Sequence, residues 1–420
     1  MEAAMRILLS DGTGLTARQS ATLLSRAGHQ VEALSPDPLC LGRFTRHVRR
    51  VHPVPAYGND PFGWLDAALA IARRRHIDVL FPTQEQVAVI ALAAGRLRAA
   101  GVVTAVPGFA ALAQVQDKLT AFATLTRLGL PQPPATVITS SSELKAAETL
   151  PVFVKTPIGT ASTGVCEVTT TAQLRRLAER CDREGVFAAG GVLAQQPVTG
   201  PLVMVQSVFA GGELIASHAC ERVREGAGGG ASHKRGIDLP DVREHIKVLG
   251  GALGWHGALS ADLILTPDGP KFIDVNPRLV EPVNAYLSGV DLTGALLETA
   301  RGGDAKPLSG RPHSGRPGIQ THQLLLAVLG AAEHGGRREI ARELRAALSH
   351  RDSYRDSTEE LTPLHHDPVT ITPIALTVLV TLIRPGTWRH FTSGSVDAYS
   401  LTPAAWHLIS QQAETITSPH

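Results

Sequence analysis

The chain has 420 residues, which suggests about two to four domains with ample core. Its 40 basic and 38 acidic residues leave a formal net charge of +2, so charge points to neither a nucleic-acid nor a membrane partner. Cys40, Cys166, Cys181 and Cys220 form no C-x-x-C pair, which argues against a zinc site or a disulfide framework and fits a reducing cytoplasm.

Arg6 to Ser10 ("RILLS") reads as a buried strand. The opening "MEAAMRILLSDGTG" has too short an apolar core for a signal peptide. A helix follows through "TARQSATLLSRAG", ending at Gly28, and "VEALS" is the next strand. "DVLFPT" and "VVTAVPG" continue the alternation, with helix-like "EQVAVIALAAGRLRAAG" between them. This order predicts a doubly wound sheet. The glycines of "SDGTGLT" do not match G-x-G-x-x-G and suit a tight βα turn better than a phosphate cradle.

Beyond Gly108, "QDKLTAFATLTRLGLPQP" predicts an amphipathic helix with Lys118 in its first turn. Leu119, Phe122, Leu125 and Leu128 form its stripe and Gly129 its stop. "SSSELKAAETLP" is a short helix with Ser140 and Glu143 spaced for a capping box. "PVFVK" is a strand ending in Lys155, "TPIGTASTG" a loop of small and hydroxyl residues, and "VCEV" the returning strand. Amides and hydroxyls bond phosphate oxygens and a lysine neutralises charge, so this loop suits polyphosphate; a hairpin loop beside a surface lysine is the plainer reading.

"TTTAQLRRLAERC" is a helix boxed by Thr170 and Gln173, and "GVLAQQPVTG" a strand entering a Pro-Gly bend. "LVMVQSVFAGGELIASHA" is a long hairpin. The stretch from Gly226 to Gly230 is expected to be a mobile loop. Arg222 and Arg224, two apart on the strand entering it, would share a face and grip phosphate or carboxylate, or else line a solvated edge. "DVREHIKVLGGALGW" is a helix.

In "GALSADLILTPDGPKFIDVNPR" a turn at "TPDGP" separates two runs of β-formers, a hairpin signal. If the loop spans Thr266 to Pro270, Leu265 faces Lys271 and Asp262 faces Asp274. Asp274, Asn276 and Arg278 then share one face, while Ile273 and Val275 point the other way. Facing carboxylates repel unless one is protonated or a cation sits between them. Mg²⁺ suits such oxygen ligands, with Asn276 as a third donor and Arg278 as an anion holder. A solvent-facing polar hairpin is the plainer alternative.

Arg301 to Gly318 is rich in glycine, proline and arginine and reads as a linker. The tail starts helical at "IQTHQLLL". "HHDP", His365 to Pro368, is expected to be an ordinary loop, not a metal site. The apolar run Ile374 to Ile383 is too short to span a bilayer, and a buried element is its default reading.

The ordered set of Lys118, Lys155 with its small-residue loop, "AQQPVTG", the paired arginines, Asp262 and "DVNPR" resembles the ATP-grasp superfamily, closest to its predicted carboxylate–amine ligases. The resemblance covers about Asp117 to Ala300. It implies an α/β (α+β) chain: a Rossmann-like domain over 1–110, an ATP-grasp small lobe with lid over 111–196 and a large lobe with the metal site over 197–303. A linker over 304–318 and a mainly helical extension over 319–420 complete it. Lys118, Lys155, Thr160, Ser162, Thr163 and Gly164 would contact ATP phosphates, and Gln195, Gln196 and Val198 the adenine. Asp262, Asp274 and Asn276 would hold Mg²⁺ or Mn²⁺, with Arg278, Lys155, Arg222 and Arg224 as catalytic cations.

The implied activity is activation of a carboxylate as an acyl phosphate and its coupling to an amine or thiol. Carboxyphosphate formation from bicarbonate and non-catalytic nucleotide binding are the alternatives. The implied partners are a small carboxylate and a small amine, with a homodimer left open, in the cytoplasm. Three departures stand out. Gln195-Gln196 replaces the hinge glutamate of many relatives, "GPLVM" offers no ribose-binding acid, and Asp262 stands where glutamate is common. The lid has no run of four glycines and the chain no biotin-attachment sequence; its methionines are Met1, Met5 and Met204.

Overall fold

The computed structural model describes residues 4–147, 149–160, 163–302, 314–361 and 366–417. Ser162, His365 and positions 304–313 of the expected linker lie outside them.

The first sheet contains β1 (Arg6–Leu9), β2 (Gln30–Ser35), β3 (Arg50–Pro53) and β4 (Val79–Phe81) in the order β3-β2-β1-β4, all parallel. The central strand β1 and its neighbour β4 are almost wholly apolar, and their side chains enter two separate buried cores. Val103, expected in a strand, makes only a single bridge to Val79. The expected helix after β4 is two short ones, Val87–Leu92 and Ala94–Ala99.

The second sheet is antiparallel, in the order β5 (Ala135–Ile138), β8 (Val192–Gln195), β6 (Val152–Lys155), β7 (Val165–Val168). The helix Thr171–Arg183 begins with the full capping box of Thr170 and Gln173. At Ser140 the box is incomplete. Ser140 accepts from the Glu143 N–H, but Glu143 reaches back to Thr139 instead.

The third sheet has seven strands. They are β9 (Leu202–Ala210), β10 (Glu213–Glu225), β11 (Ala231–Ile237), β12 (Gly257–Thr266), β13 (Gly269–Asn276), β14 (Gln320–His322) and β15 (Ser357–Glu359), ordered β13-β12-β9-β10-β11-β14-β15. Trp255, Phe209 and Phe272 fill the core between this sheet and the helix Pro240–Ala252.

The tail is not purely helical at its start. Gln320–His322 pairs with β11 and carries the large sheet onward before the helix Leu324–His334 begins. Positions 314–318 lie against the large sheet, with Arg316 N–H on the Ser288 carbonyl and Gly318 N–H on the Gly236 carbonyl, both at 2.8 Å. The Gly226–Gly230 stretch is packed rather than free. It closes on itself through Gly226 N–H to Gly230 carbonyl at 2.7 Å, and a Cβ on Gly226 would lie 2.7 Å from Leu326 Cγ. Glycine here serves close helix approach, not mobility.

The helix Ile371–Ile383 also departs from expectation. Ile374, Thr377 and Thr381 face inward, while Leu376, Leu379 and Ile383 are more than half exposed. No helix among the described residues is long and apolar enough to cross a membrane. The last helix, Pro403–Thr417, returns to the first domain, where Leu401, Ala405 and Ile409 join the core of Trp64, Leu65 and Leu80.

Candidate functional site

The β12–β13 hairpin places Asp262 opposite Asp274, by a route the sequence count misses. The turn is tighter than expected, since Thr266 pairs with Gly269 and Ile264, not Leu265, faces Lys271. A bulge between Asp262 and Leu263 then skips Ile273 and restores the carboxylate pair. Phe272 and Val275 therefore supply the core face, and Ile273 does not. Asn276 pairs with Ser260, whose hydroxyl donates to the Arg278 carbonyl at 2.6 Å.

The bulge has a second effect. Ile273 lies outside the ladder and its carbonyl accepts the Lys155 ammonium at 2.6 Å. Lys155 is buried at the end of β6. Burial pushes its pKa down and Asp274 opposes that; Lys118 adds to the fall and Asp262 opposes it. Asp262 is pushed up to about 7, chiefly by burial and then by Asp274, against Arg278, Lys155 and Arg222. The structure thus gathers Asp262, Asp274, Lys155, Arg278 and Arg222 at one place.

Arg278 is buried and its Nε donates to Glu85 at 2.8 Å. Glu85 also accepts Gln116 Nε2 at 3.2 Å. Arg222 donates to the Gly229 carbonyl at 2.7 Å and pairs with Glu225 at 3.1 Å. Arg224 is elsewhere. The ladder shifts between Arg222 and Arg224, so the two do not share a face, and Arg224 forks onto Glu343 of the tail. An irregular register defeats the two-residue count.

Lys118 begins the helix Lys118–Arg127, capped by Asp117, and its ammonium donates to the Gly159 carbonyl at 3.1 Å. The loop after β6 is internally bonded: Thr160 N–H to Thr163 Oγ1 at 2.9 Å, Thr163 Oγ1 to the Thr160 carbonyl at 2.6 Å, and Thr156 N–H to the Gly164 carbonyl at 2.8 Å. Ile158 tucks into the core of the first domain. Gln195 is buried at the end of β8; Gln196 and Val198 are half-buried, and Gln196 N–H donates to the Pro134 carbonyl at 2.8 Å.

Among the described residues no three His, Cys, Asp or Glu form a metal-holding group. Asp262 and Asp274 with the Asn276 amide are a partial oxygen set. Their mutual repulsion and the high Asp262 value fit a hard cation whose shell other ligands complete.

The sequence reading misses Glu85, which holds Arg278; its one signal is "TQEQ", a polar run just past the buried strand β4. It also misses the buried Lys234, which pairs with Glu281 and, at 2.7 Å, with Glu360 of the tail.

No protein-family model matches the sequence, and no curated protein matches it. Solved structures do. The fold is similar to the biotin carboxylase domain of Hydrogenobacter thermophilus 2-oxoglutarate carboxylase (TM-score 0.59, 18% identity, 76% of this chain and 74% of that one). It is similar to N5-carboxyaminoimidazole ribonucleotide synthetase from Thermus thermophilus (TM-score 0.54, 18% identity, 75% and 81%). The L-amino acid ligase from Bacillus licheniformis is a third likeness (TM-score 0.55, 17% identity, 76% and 79%). The chain has the ATP-grasp fold.

Proposed function

We propose that the protein is an ATP-dependent ligase that activates a carboxylate as an acyl phosphate and couples it to an amine, releasing ADP and phosphate. The observation that carries this reading is the facing pair Asp262 and Asp274 with Lys155 lodged on the intervening Ile273 carbonyl. The likenesses support it. The H. thermophilus domain is described with MgADP and bicarbonate, and the B. licheniformis protein is an amino acid ligase.

Asp262, Asp274 and Asn276 would hold Mg²⁺ or Mn²⁺, which when bound offsets phosphate charge. Lys118 and Lys155 would meet the ATP phosphates beneath Thr160, Thr163 and Gly164. Gln196 N–H is already given to Pro134, so adenine contact falls to the Gln196 carbonyl and to Val198, with Gln195 behind them. Arg278, aimed by Glu85, would steady the transferred phosphoryl group, with Arg222 beside it. A carboxylate is a poor acylating agent and an acyl phosphate a good one, so no nucleophilic side chain is required. The loop after β6 would keep water from that intermediate.

Carboxyphosphate formation differs only in the acid, bicarbonate. The test is ADP release with Mg²⁺-ATP against a panel of carboxylic acids and bicarbonate, with and without hydroxylamine. We expect ADP together with a hydroxamate from a particular acid. ADP with bicarbonate alone selects the carboxyphosphate reading. No ADP with any acid or bicarbonate while ATP still binds favours the nucleotide-binding regulatory reading or an acid outside the panel, and AMP in place of ADP overturns the acyl-phosphate chemistry.

A further inference from the structure

The face of the large sheet that carries Asp262 also carries a second charged cluster. Ser260, Gln206 and His218 lie opposite one another across β12, β9 and β10, and each holds the chain that follows β13. Ser260 Oγ donates to the Arg278 carbonyl at 2.6 Å, Gln206 Oε1 accepts Val280 N–H at 3.1 Å, and His218 Nε2 meets Asn284 Oδ1 at 2.7 Å. The segment from Arg278 to Asn284 therefore crosses the sheet above these three. Two residues along the same strands, and so on the same face, stand Asp262, Met204 and Cys220. Met204 is half-buried where Val203 and Val205 are buried, so this face of β9 opens to solvent.

β11 lies three strand spacings from β12, roughly 14 Å, a span that an acid and a small amine share. Its Lys234 faces Arg222 across the ladder and is buried between two carboxylates, Glu281 of the crossing segment and Glu360 of the tail. Glu360 is fully buried and fully bonded. Its Oε2 accepts Lys234 and Gln323 at 2.7 Å and Gln19 at 2.9 Å, and its Oε1 accepts Thr321 Oγ1 at 2.6 Å. Glu281 is not. Its Oε2 takes Lys234 and Gln323, while its Oε1 has no hydrogen bond among the described residues and the side chain stays 16% exposed. Glu281 also stands in the left-handed region, at φ +54°, with its N–H on Thr16 Oγ1 at 3.2 Å. A side chain is kept in that conformation only where its surroundings fix it.

We propose that Glu281 Oε1 receives the N–H groups of the acceptor amine, and that Glu360 of the tail is a positioning residue that holds Lys234 and, through it, Glu281. The proposal rests on the ligase reading. Two carboxylates against one ammonium leave one unbalanced negative charge in the cluster, and Glu281 Oε1 is where it meets solvent. A primary amine brings positive charge and several donors to that oxygen, whereas a carboxylate or phosphate would set acceptor against acceptor. Without the Glu360 charge, Lys234 would balance Glu281 outright, and the excess charge that draws the amine would be gone. Arg278, three residues earlier in the same segment, would keep the activated acid beside the amine.

The test is thermal-shift titration of the full chain with ethylamine, ethanolamine, putrescine and glycinamide, with MgATP as a separate arm. At least one primary amine should raise the melting temperature saturably, and its N,N,N-trimethyl analogue should not. The apparent Kd should weaken at least tenfold in Glu281→Gln, whose amide keeps an oxygen for Lys234, with the MgATP shift retained. Glu360→Gln should weaken the same amine to a similar extent, and Glu360→Asp, which keeps the charge, should weaken it less. The double variant Glu281→Gln/Glu360→Gln should bind no more weakly than Glu281→Gln, because Glu360 acts through Glu281; a general structural loss would add. If Glu360→Gln does not fold, Glu360→Asp with and without Glu281→Gln gives the same comparison. Equal amine binding by wild type and Glu281→Gln, or no binding by any amine tested, overturns the site. Wild-type amine affinity in the folded Glu360 variants, or additive losses, removes the positioning role. Absence of a MgATP shift in wild type, with Glu281-dependent amine binding intact, overturns the ligase reading instead.

Discussion

The Lys155 ammonium is buried and bonded to a carbonyl that a bulge released from its ladder. Its charge is kept in place by the two aspartates that oppose its desolvation. We therefore expect Lys155→Ala to weaken MgATP binding by tenfold or more, since a charged hydrogen bond contributes roughly 1.5–3 kcal/mol; calorimetric titration measures this. Asp274→Ala should abolish ADP formation with the melting temperature retained. Wild-type ADP release from that folded variant would sink the metal assignment. Alternation along "KFIDVNPR" singled out Asp274 and Asn276, because side-chain period is a local property. The bulge at Ile273 was not legible, nor was the fact that it would cancel a one-residue error in the turn.

At the level of elements, β10 and β11 meet the tail, which begins with β14, through a buried cluster. Arg224 and Tyr354 both bond Glu343, and His233 stacks on His322 with ring centroids 5.6 Å apart. Burial holds His233 down at about 3, with His322 and Arg224 adding to the fall. Burial and His350 hold His322 at about 4. Both rings are neutral when folded and titrate near 6.5 when unfolded. Their contribution to stability is full above pH 6.5 and is lost as pH falls toward 4, by about 1.4 kcal/mol per pH unit for each ring. Glu359 and Asp262, both raised to about 7, titrate in the opposite sense, so the informative quantity is a difference. Denaturant unfolding of wild type and His322→Gln between pH 7 and pH 4.5 should show a shallower acid loss in the variant. Parallel curves would mean that His322 does not feel this burial. The sequence showed Arg224 but not its partner, because Glu343 lies more than a hundred residues away.

Across the whole molecule, the tail behaves as an internal part of the fold. Glu360 pairs with the buried Lys234 and accepts from Gln19, Thr321 and Gln323. Asp367 holds the buried Arg18 at 3.1 Å, and the last helix completes the first domain's core. Removing one partner of a buried ion pair costs roughly 3–5 kcal/mol. A chain cut after Gly318 should therefore lose cooperative unfolding in calorimetry. A truncated protein that melts at the wild-type temperature would show the tail to be dispensable.

The sequence by itself determined most of the elements, the lysine-rooted loop and the acidic hairpin, because periodicity and turn residues are written locally along the chain; the ATP-grasp layout came from the family resemblance those motifs carry. Tertiary structure alone decided which charges meet. It sent Arg224 to Glu343, gave Arg278 to Glu85 and drew both Gln84 and Asp11 to Gly14. Those pairings depend on bulges and on long-range docking, where a single inserted residue or a returning helix reassigns a side chain's neighbours without leaving a periodic trace in the sequence.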